Sequence, residues 1–378
     1  MRIPFNRSEG ASLGIEWELE LVDLASGELT PLASEILEQI RPAGQPSHPR
    51  AKHELFENTI EVITGVCRTV EEAMEDLRVT VGEVSAAAAE RDAGLICSGS
   101  HPFSDWALQK VSPDPRYALL LDRMQLPARQ LLTFGVHVHV GVRAAEKVIP
   151  IVNALTQYVP HFLALSASSP FWAGADTGLA SVRTKIFEQL PTAGLPHQLA
   201  NWKQFEAYMD LLIRTKAISS IREVWWDIRP HPDFGTVEVR ICDGLPTLDE
   251  VGAVGALAQC LVERLDREYD RGYTLPVPRG WVVRENKWRA ARHGIDAEVI
   301  VDDRGTVVPV ADAITDLVED LMPTARRLGC SEQLSGIERI LAAGPSYARQ
   351  RAVADAHEGD LRAVVHSLLA EARDGLPR

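Results

Sequence analysis

Gly14-Ile15-Glu16-Trp17-Glu18-Leu19-Glu20-Leu21 alternates apolar and acidic residues without a break. A strand has a side-chain period of two, so such a stretch presents two wholly different faces. One face carries Ile15, Trp17, Leu19 and Leu21, and a face that includes tryptophan must lie on a core. The other carries Glu16, Glu18 and Glu20, with no base among them. Carboxylates roughly 6–7 Å apart repel by about 2–3 kcal/mol per pair at an effective dielectric near 20. A salt-bathed edge would tolerate such a row, but solvated edges usually mix signs. An all-acid row points instead to bound cations.

The same layout recurs three times. Leu55–Ile63 reads as a strand whose polar face holds Glu57 and Glu61, with Thr59 between them. Thr133–Val142 is rich in valine and bounded by glycine, and sets His137 and His139 against Val136, Val138 and Val140. Neutral imidazole is a common metal ligand, so two on one face suggest a metal or phosphate role. In Gly235–Asp243 the shared face is Thr236, Glu238 and Arg240. That couple reads equally as a plain ion pair on a strand, worth a few tenths of a kcal/mol when exposed.

Helices separate these strands. Thr69-Val70-Glu71-Glu72 and Thr247-Leu248-Asp249-Glu250 are capping boxes, each opening a long helix. A further helix is expected over 146–168, kinked at Pro160. His101, in the loop Gly99–Phe103, reads first as a turn or packing residue. The loop Ser169–Gly178, rich in Gly, Pro and Trp, is long enough to carry binding function and leads to Ser181-Val182-Arg183. From Asp312 onward the pattern is helical. Strands interleaved with long helices, without short βαβ units, indicate an α+β fold with an antiparallel sheet. No repeat, linker or break in composition divides the chain. A single domain over 1–378 is expected, with C-terminal helices (about 311–378) wrapping the core.

The totals narrow the chemistry. Of 378 residues 46% are hydrophobic and 24% charged, the composition of a globular protein. A net charge of −14 argues against a nucleic-acid partner. Met1–Arg7 has no apolar segment of a secretory signal, and the apolar runs read as too short to span a bilayer. Five scattered cysteines, never spaced C-x-x-C, fit free thiols in a reducing cytoplasm. Neither a Walker loop nor a Rossmann glycine fingerprint occurs, so a nucleotide would be held through metals and arginines. Oxygen-rich donors with some imidazole suit Mg²⁺ or Mn²⁺. Arg183, Arg229 and Arg240 supply what a phosphate or carboxylate needs.

Gly14–Glu18, Phe134–Gly141, Trp226-Asp227-Ile228-Arg229-Pro230 and Gly235–Arg240 together resemble the type 2 glutamate–cysteine ligases, also called carboxylate-amine ligases. The likeness extends to His101-Pro102-Phe103, Asn201-Trp202 and Ala348-Arg349-Gln350. It implies a glutamine-synthetase-like fold: a curved antiparallel sheet, helices outside, and the active site on the polar inner face. It also implies an ATP-dependent ligase of small amino acids and amines, Mg²⁺ on that face, and a homodimer. By motif, Glu16, Glu18, Glu57, Glu61, His139 and Glu238 match metal-binding positions, with His137 a neighbour that serves the nucleotide. Arg240 matches the position that meets the transferred phosphate; Arg229 and Arg183 match phosphate or substrate carboxylate. Leu179 and Val182 depart from the aromatic residues of many relatives and leave the substrate open. Two other classes fit the residues alone: a metal-dependent hydrolase using His137 and His139, and a non-catalytic nucleotide- or metabolite-binding relative.

Overall fold

A computed structural model describes residues 2–373. Its centre is an antiparallel sheet of seven strands: β1 (Leu13–Asp23), β2 (Ala51–His53), β3 (Thr59–Ile63), β4 (Ala93–Ile96), β5 (Val136–Gly141), β6 (Ile228–His231) and β7 (Thr236–Val239). The order is β6-β7-β5-β1-β3-β2, and β4 continues the edge of β1 where β5 leaves off. The opening stretch therefore lies in the longest strand and at the centre. Its neighbours on either side are two of the other three polar strands, β3 and β5.

The apolar face is buried as the alternation requires. Ile15, Trp17, Leu19 and Leu21 join Val136, Val138, Val140, Val237 and Val239 in one cluster with residues of the helices Val70–Ala89, Ala145–Leu155 and Leu248–Asp270. The Trp17 indole N–H donates to the Leu245 carbonyl at 3.1 Å, so the largest side chain of this core leaves no orphan donor. Both expected caps form: Thr69 Oγ1 accepts from Glu72 N–H and Thr247 Oγ1 from Glu250 N–H, each at 3.2 Å. Helices Val310–Leu328 and Ser331–Ala343 pack on Leu248–Asp270, and Leu361–Arg373 packs on β4. Residues 374–378 of the expected wrapper lie outside the described residues.

The segment expected as one kinked helix over 146–168 differs in detail. Ala145–Ser166 is long and apolar enough to cross a membrane by composition, but 83% of its apolar 18-residue window is buried inside the protein. Its break is a 3₁₀ turn at Thr156–Tyr158, and Pro160 sits in the first turn of the helix that follows. Proline is tolerated there because its missing N–H had no helical partner. All five cysteines are free and buried. His101 is a packing residue: its Nε2–H donates to the Gly27 carbonyl at 3.0 Å, while Nδ1 accepts from Ser104 N–H at 3.0 Å. Burial, only partly opposed by the Gly27 bond, pushes it down to about 3 and keeps it neutral.

Candidate active site

Register turns the separate strand faces into one surface. In an antiparallel pair, residues directly opposite share a face. Glu18 lies opposite Glu61, Glu16 opposite His137, Glu238 opposite His139, and Arg229 opposite Glu238. The polar face thus reads, from one edge to the other, as Lys52 and Glu61, Glu18 and Glu16, His137 and His139, Glu238, then Arg229.

Two groups of donor atoms converge there. Oxygens or nitrogens of Glu16, His137 and Glu238 lie within 4.8 Å of one another, and so do those of Glu18, Glu61 and His137. His137 therefore belongs to both groups and is more than a neighbour of them. Its Nδ1 is 3.2 Å from Glu16 Oε2. His139 is held from the other side, with Nδ1 3.1 Å from Thr236 Oγ1. Its buried Nε2 has no hydrogen-bond partner among the described residues, yet sits 3.4 Å from Glu16 Oε1 and 3.7 Å from Glu238 Oε1. An orphaned imidazole nitrogen facing two carboxylate oxygens fits a shared cation. Adjacent ligands of an octahedral ion with bonds of about 2.1 Å are separated by about 3 Å, close to these gaps.

Electrostatics divide the surface into two ends. At the β2–β3 end, burial and then the Glu16 and Glu54 carboxylates push Glu61 well above the usual carboxylate range. Lys52 Nζ, 2.7 Å from Glu61 Oε2, offsets this only in part. Burial and the Glu18 charge push Glu54 up to about 7. Glu18 is raised by burial, against the opposing charge of Arg183 and the Gly135 N–H. Burial also raises Glu20, to about 8, but its Oε1 turns to Ser98 and it joins neither donor group.

At the β6–β7 end the signs reverse. Arg229 donates from Nε to Glu238 Oε2 at 2.7 Å, its Nη2 lies as close, and Nη1 bonds the Val224 carbonyl at 3.1 Å. Arg240 Nη1 grips the other oxygen, Oε1. Burial disfavours the Glu238 charge, but Arg229, Arg240 and His139 outweigh it and hold the carboxyl far below its ordinary value. Burial likewise opposes ionisation of Glu16, and the His137 hydrogen bond together with the nearby His139 imidazole overcome it.

Arg183 enters this end through a gap left by glycine. A Cβ on Gly135 would fall 2.3 Å from Arg183 Nη2, so any larger residue there would expel the guanidinium. The Ser169 hydroxyl ties the expected loop to Arg183, accepting its N–H at 3.1 Å and donating to buried Asp243 at 2.7 Å. Arg183 and Arg240 line one small cavity with Trp225, Trp226 and Asp227. The Nε of each is buried and unpartnered among the described residues.

Of the residues expected at the site, Glu57 alone is drawn elsewhere. Its carboxylate accepts from Ser34 N–H at 3.1 Å and from the Ser34 hydroxyl at 2.7 Å, in the first turn of the helix Ala33–Gln39. The strand begins at Thr59; Glu57 and Asn58 form a turn, which resets the alternation. Lys52, Glu54 and Thr236 are members that strand faces alone did not select as ligands or partners. The three-residue β2 is too short for alternation to show, though its Lys52 and the Glu54 that follows it flank the same acids. Asp227 and Lys287 were missed too: Lys287 Nζ bonds Asp227 Oδ2 and Glu188 Oε1, both at 2.6 Å, and both carboxylates belong to residues that line the cavity.

The family model described as glutamate–cysteine ligase family 2 matches residues 12–367. A protein of Frankia alni named "Putative glutamate--cysteine ligase 2-1" is 59% identical over 100% of this chain and 99% of its own. One of Thermobifida fusca, "Putative glutamate--cysteine ligase 2", is 54% identical over 100% of this chain and 94% of its own. Among solved structures, the glutamate–cysteine ligase of Francisella tularensis in complex with AMP superposes with a TM-score of 0.69 at 12% identity, over 99% of this chain and 91% of that one. The bifunctional glutathione synthetase of Pasteurella multocida gives 0.69 at 14% identity, over 97% of this chain and 53% of that longer one. These likenesses establish the glutamine-synthetase-like α+β fold. Neither the hydrolase nor the non-catalytic reading finds support among them.

Proposed function

The chain belongs to glutamate–cysteine ligase family 2, whose members are ATP-dependent carboxylate-amine ligases, and from that premise we propose that it joins the side-chain carboxylate of glutamate to the amine of cysteine through an acyl phosphate. The observation that carries this reading is the division of one continuous polar face into an acid end and an arginine end, with Glu238 at the boundary. Glu16, Glu18, Glu61, His137, His139 and Glu238 are the residues that would hold Mg²⁺, and the same donors accept Mn²⁺. Bound there, the ions would neutralise and orient the phosphates of ATP.

The chain's own groups set up the reaction. A carboxylate is a poor electrophile, and its charge repels the γ-phosphate it must attack. Arg240 and Arg183 line one cavity, and their guanidinium charges can draw the two anions together and lower that repulsion. The substrate carboxylate oxygen bonds to the γ-phosphorus while the bond to ADP breaks. The amine nitrogen then attacks the acyl carbon, inorganic phosphate leaves with the C–O bond, and the nitrogen sheds a proton. Arg229, fully engaged with Glu238 and the Val224 carbonyl, positions that carboxylate. A homodimer belongs to the same reading and is checked by light scattering.

The test is product analysis with Mg²⁺–ATP. ADP and phosphate should appear only when L-glutamate and an amine such as L-cysteine are both present. Formation of AMP and pyrophosphate would overturn the acyl-phosphate scheme; activity with other acids or amines would revise the substrates alone.

A further inference from the structure

Cations and arginines account for the phosphates of a nucleotide but leave its base without a partner. A row of three rings leads outward from the donor cluster. His139, whose Nε2 faces Glu16 and Glu238, meets His231 edge-on at 5.4 Å and Phe234 edge-on at 5.5 Å. His231 and Phe234 stack nearly parallel, with centroids 4.0 Å apart and planes inclined by 11°. One face of Phe234 is thus covered by imidazole, yet the residue remains 58% exposed.

This ring is placed rather than loosely hung. Phe234 lies in the turn between β6 and β7, where Gly235 has φ +69 and a Cβ would collide with the Asn6 carbonyl oxygen at 1.5 Å. Asn6 fastens the turn from outside, its N–H donating to the Pro232 carbonyl at 3.0 Å and its Nδ2 to the Asp233 carbonyl at 2.9 Å. Two residues beyond Phe234, the Thr236 hydroxyl holds His139. The turn that presents the aromatic ring therefore also fixes the imidazole that faces Glu16 and Glu238. A ring backed by another ring and pinned by its turn gives up little freedom when a ligand lies on it.

We propose that the open face of Phe234, backed by His231, is the platform on which the purine base of the nucleotide stacks, its phosphates running from there past His139 to the Glu16–His137–Glu238 group. The platform rests on the ligase reading above. Every base has a π face, so an aromatic platform holds one without hydrogen-bond readout.

Equilibrium binding in the presence of Mg²⁺ tests it, with ATP and inorganic tripolyphosphate as paired probes on the full chain. Phe234→Ala should weaken ATP binding roughly ten- to hundredfold, the range of base–aromatic stacking, and leave tripolyphosphate binding unchanged. Phe234→Tyr should keep ATP affinity. ATP binding unaltered by Phe234→Ala would overturn the platform alone. An equal loss of both probes would overturn it too, by showing that the ring only supports the donor cluster. A wild-type protein with no affinity for ATP would overturn the ligase reading with it.

Discussion

The two ends of the polar face carry the same kind of residue under opposite conditions. Glu61 and Glu238 are both buried glutamates on neighbours of the central strands, at 2% and 0% exposure. Glu61 faces other acids and a single, half-exposed lysine, so burial and like charge raise its carboxyl. Glu238 lies between two guanidiniums that outweigh its burial. One end is short of positive charge and the other is supplied with it by the chain. A ligase must gather cations and anions side by side, and this sheet assigns them to different strands.

Breaking the supplied end should have the largest effect. Glu238→Gln removes the partner of two buried arginines and should destabilise the fold by about 3–5 kcal/mol, as loss of one member of a buried pair does. Turnover should fall to background. A melting temperature equal to wild type, measured without metal, would show that the arginines do not depend on Glu238.

Next in size is Arg240→Lys, which keeps charge but not geometry. A planar fork can hold Glu238 and a second oxygen together, whereas an ammonium is a point charge on a flexible stem. Losing one preorganised donor costs roughly a hundred- to a thousandfold in kcat. A lysine variant within about threefold of wild type at saturating ATP would reduce Arg240 to a scaffold for Glu238.

The acid end should respond with the opposite sign. Glu61→Gln removes a carboxyl whose charged form burial and its acidic neighbours disfavour, and should stabilise the metal-free protein at pH values where that carboxyl is forced to ionise, while turnover is lost. The pH dependence follows from the raised carboxyls. Glu54 moves from 4.5 to about 7, so the stability it contributes is complete below 4.5 and disappears as pH rises through 7. Metal-free melting temperature should therefore fall between pH 4.5 and 7. Glu61→Gln should flatten that fall, and Mg²⁺ should offset it in the wild type. A profile that rises over the same window would mean that the acids are compensated by groups other than Lys52.

How much of this was legible in the sequence depended on how local each cause was. Gly14–Leu21 declares its two faces because eleven residues of β1 run without interruption. His137 and His139 do the same, and the resemblance tied these strands to one activity. What strand alternation cannot show is charge balance. Glu61 and Glu238 look alike in sequence, and only register puts Arg229 opposite one and Lys52 opposite the other. Arg183 reaches its place through a gap at Gly135, remote in sequence, and Lys287 meets Asp227 from another helix. Both are tertiary facts with no periodic trace.

Glu57 gives the smallest effect and the sharpest control, because it lies four residues before Glu61 and was expected on the same face. Strict alternation would put both carboxylates among the metal donors. The turn at Glu57–Asn58 sends one of them to the helix Ala33–Gln39, where it accepts two hydrogen bonds from Ser34. Glu57→Ala should then behave as loss of a helix cap together with an orphaned hydroxyl, at about 1–3 kcal/mol of stability. Its folded fraction should keep kcat within roughly twofold of wild type, a barrier change under 1 kcal/mol. Mg²⁺ should raise its melting temperature as much as it raises that of the wild type. Glu61→Gln reverses each sign: more stable without metal, less responsive to Mg²⁺, and inactive. A Glu57→Ala protein that folds well but loses both turnover and the Mg²⁺ response would return Glu57 to the acid end and make the turn at Asn58 part of the site.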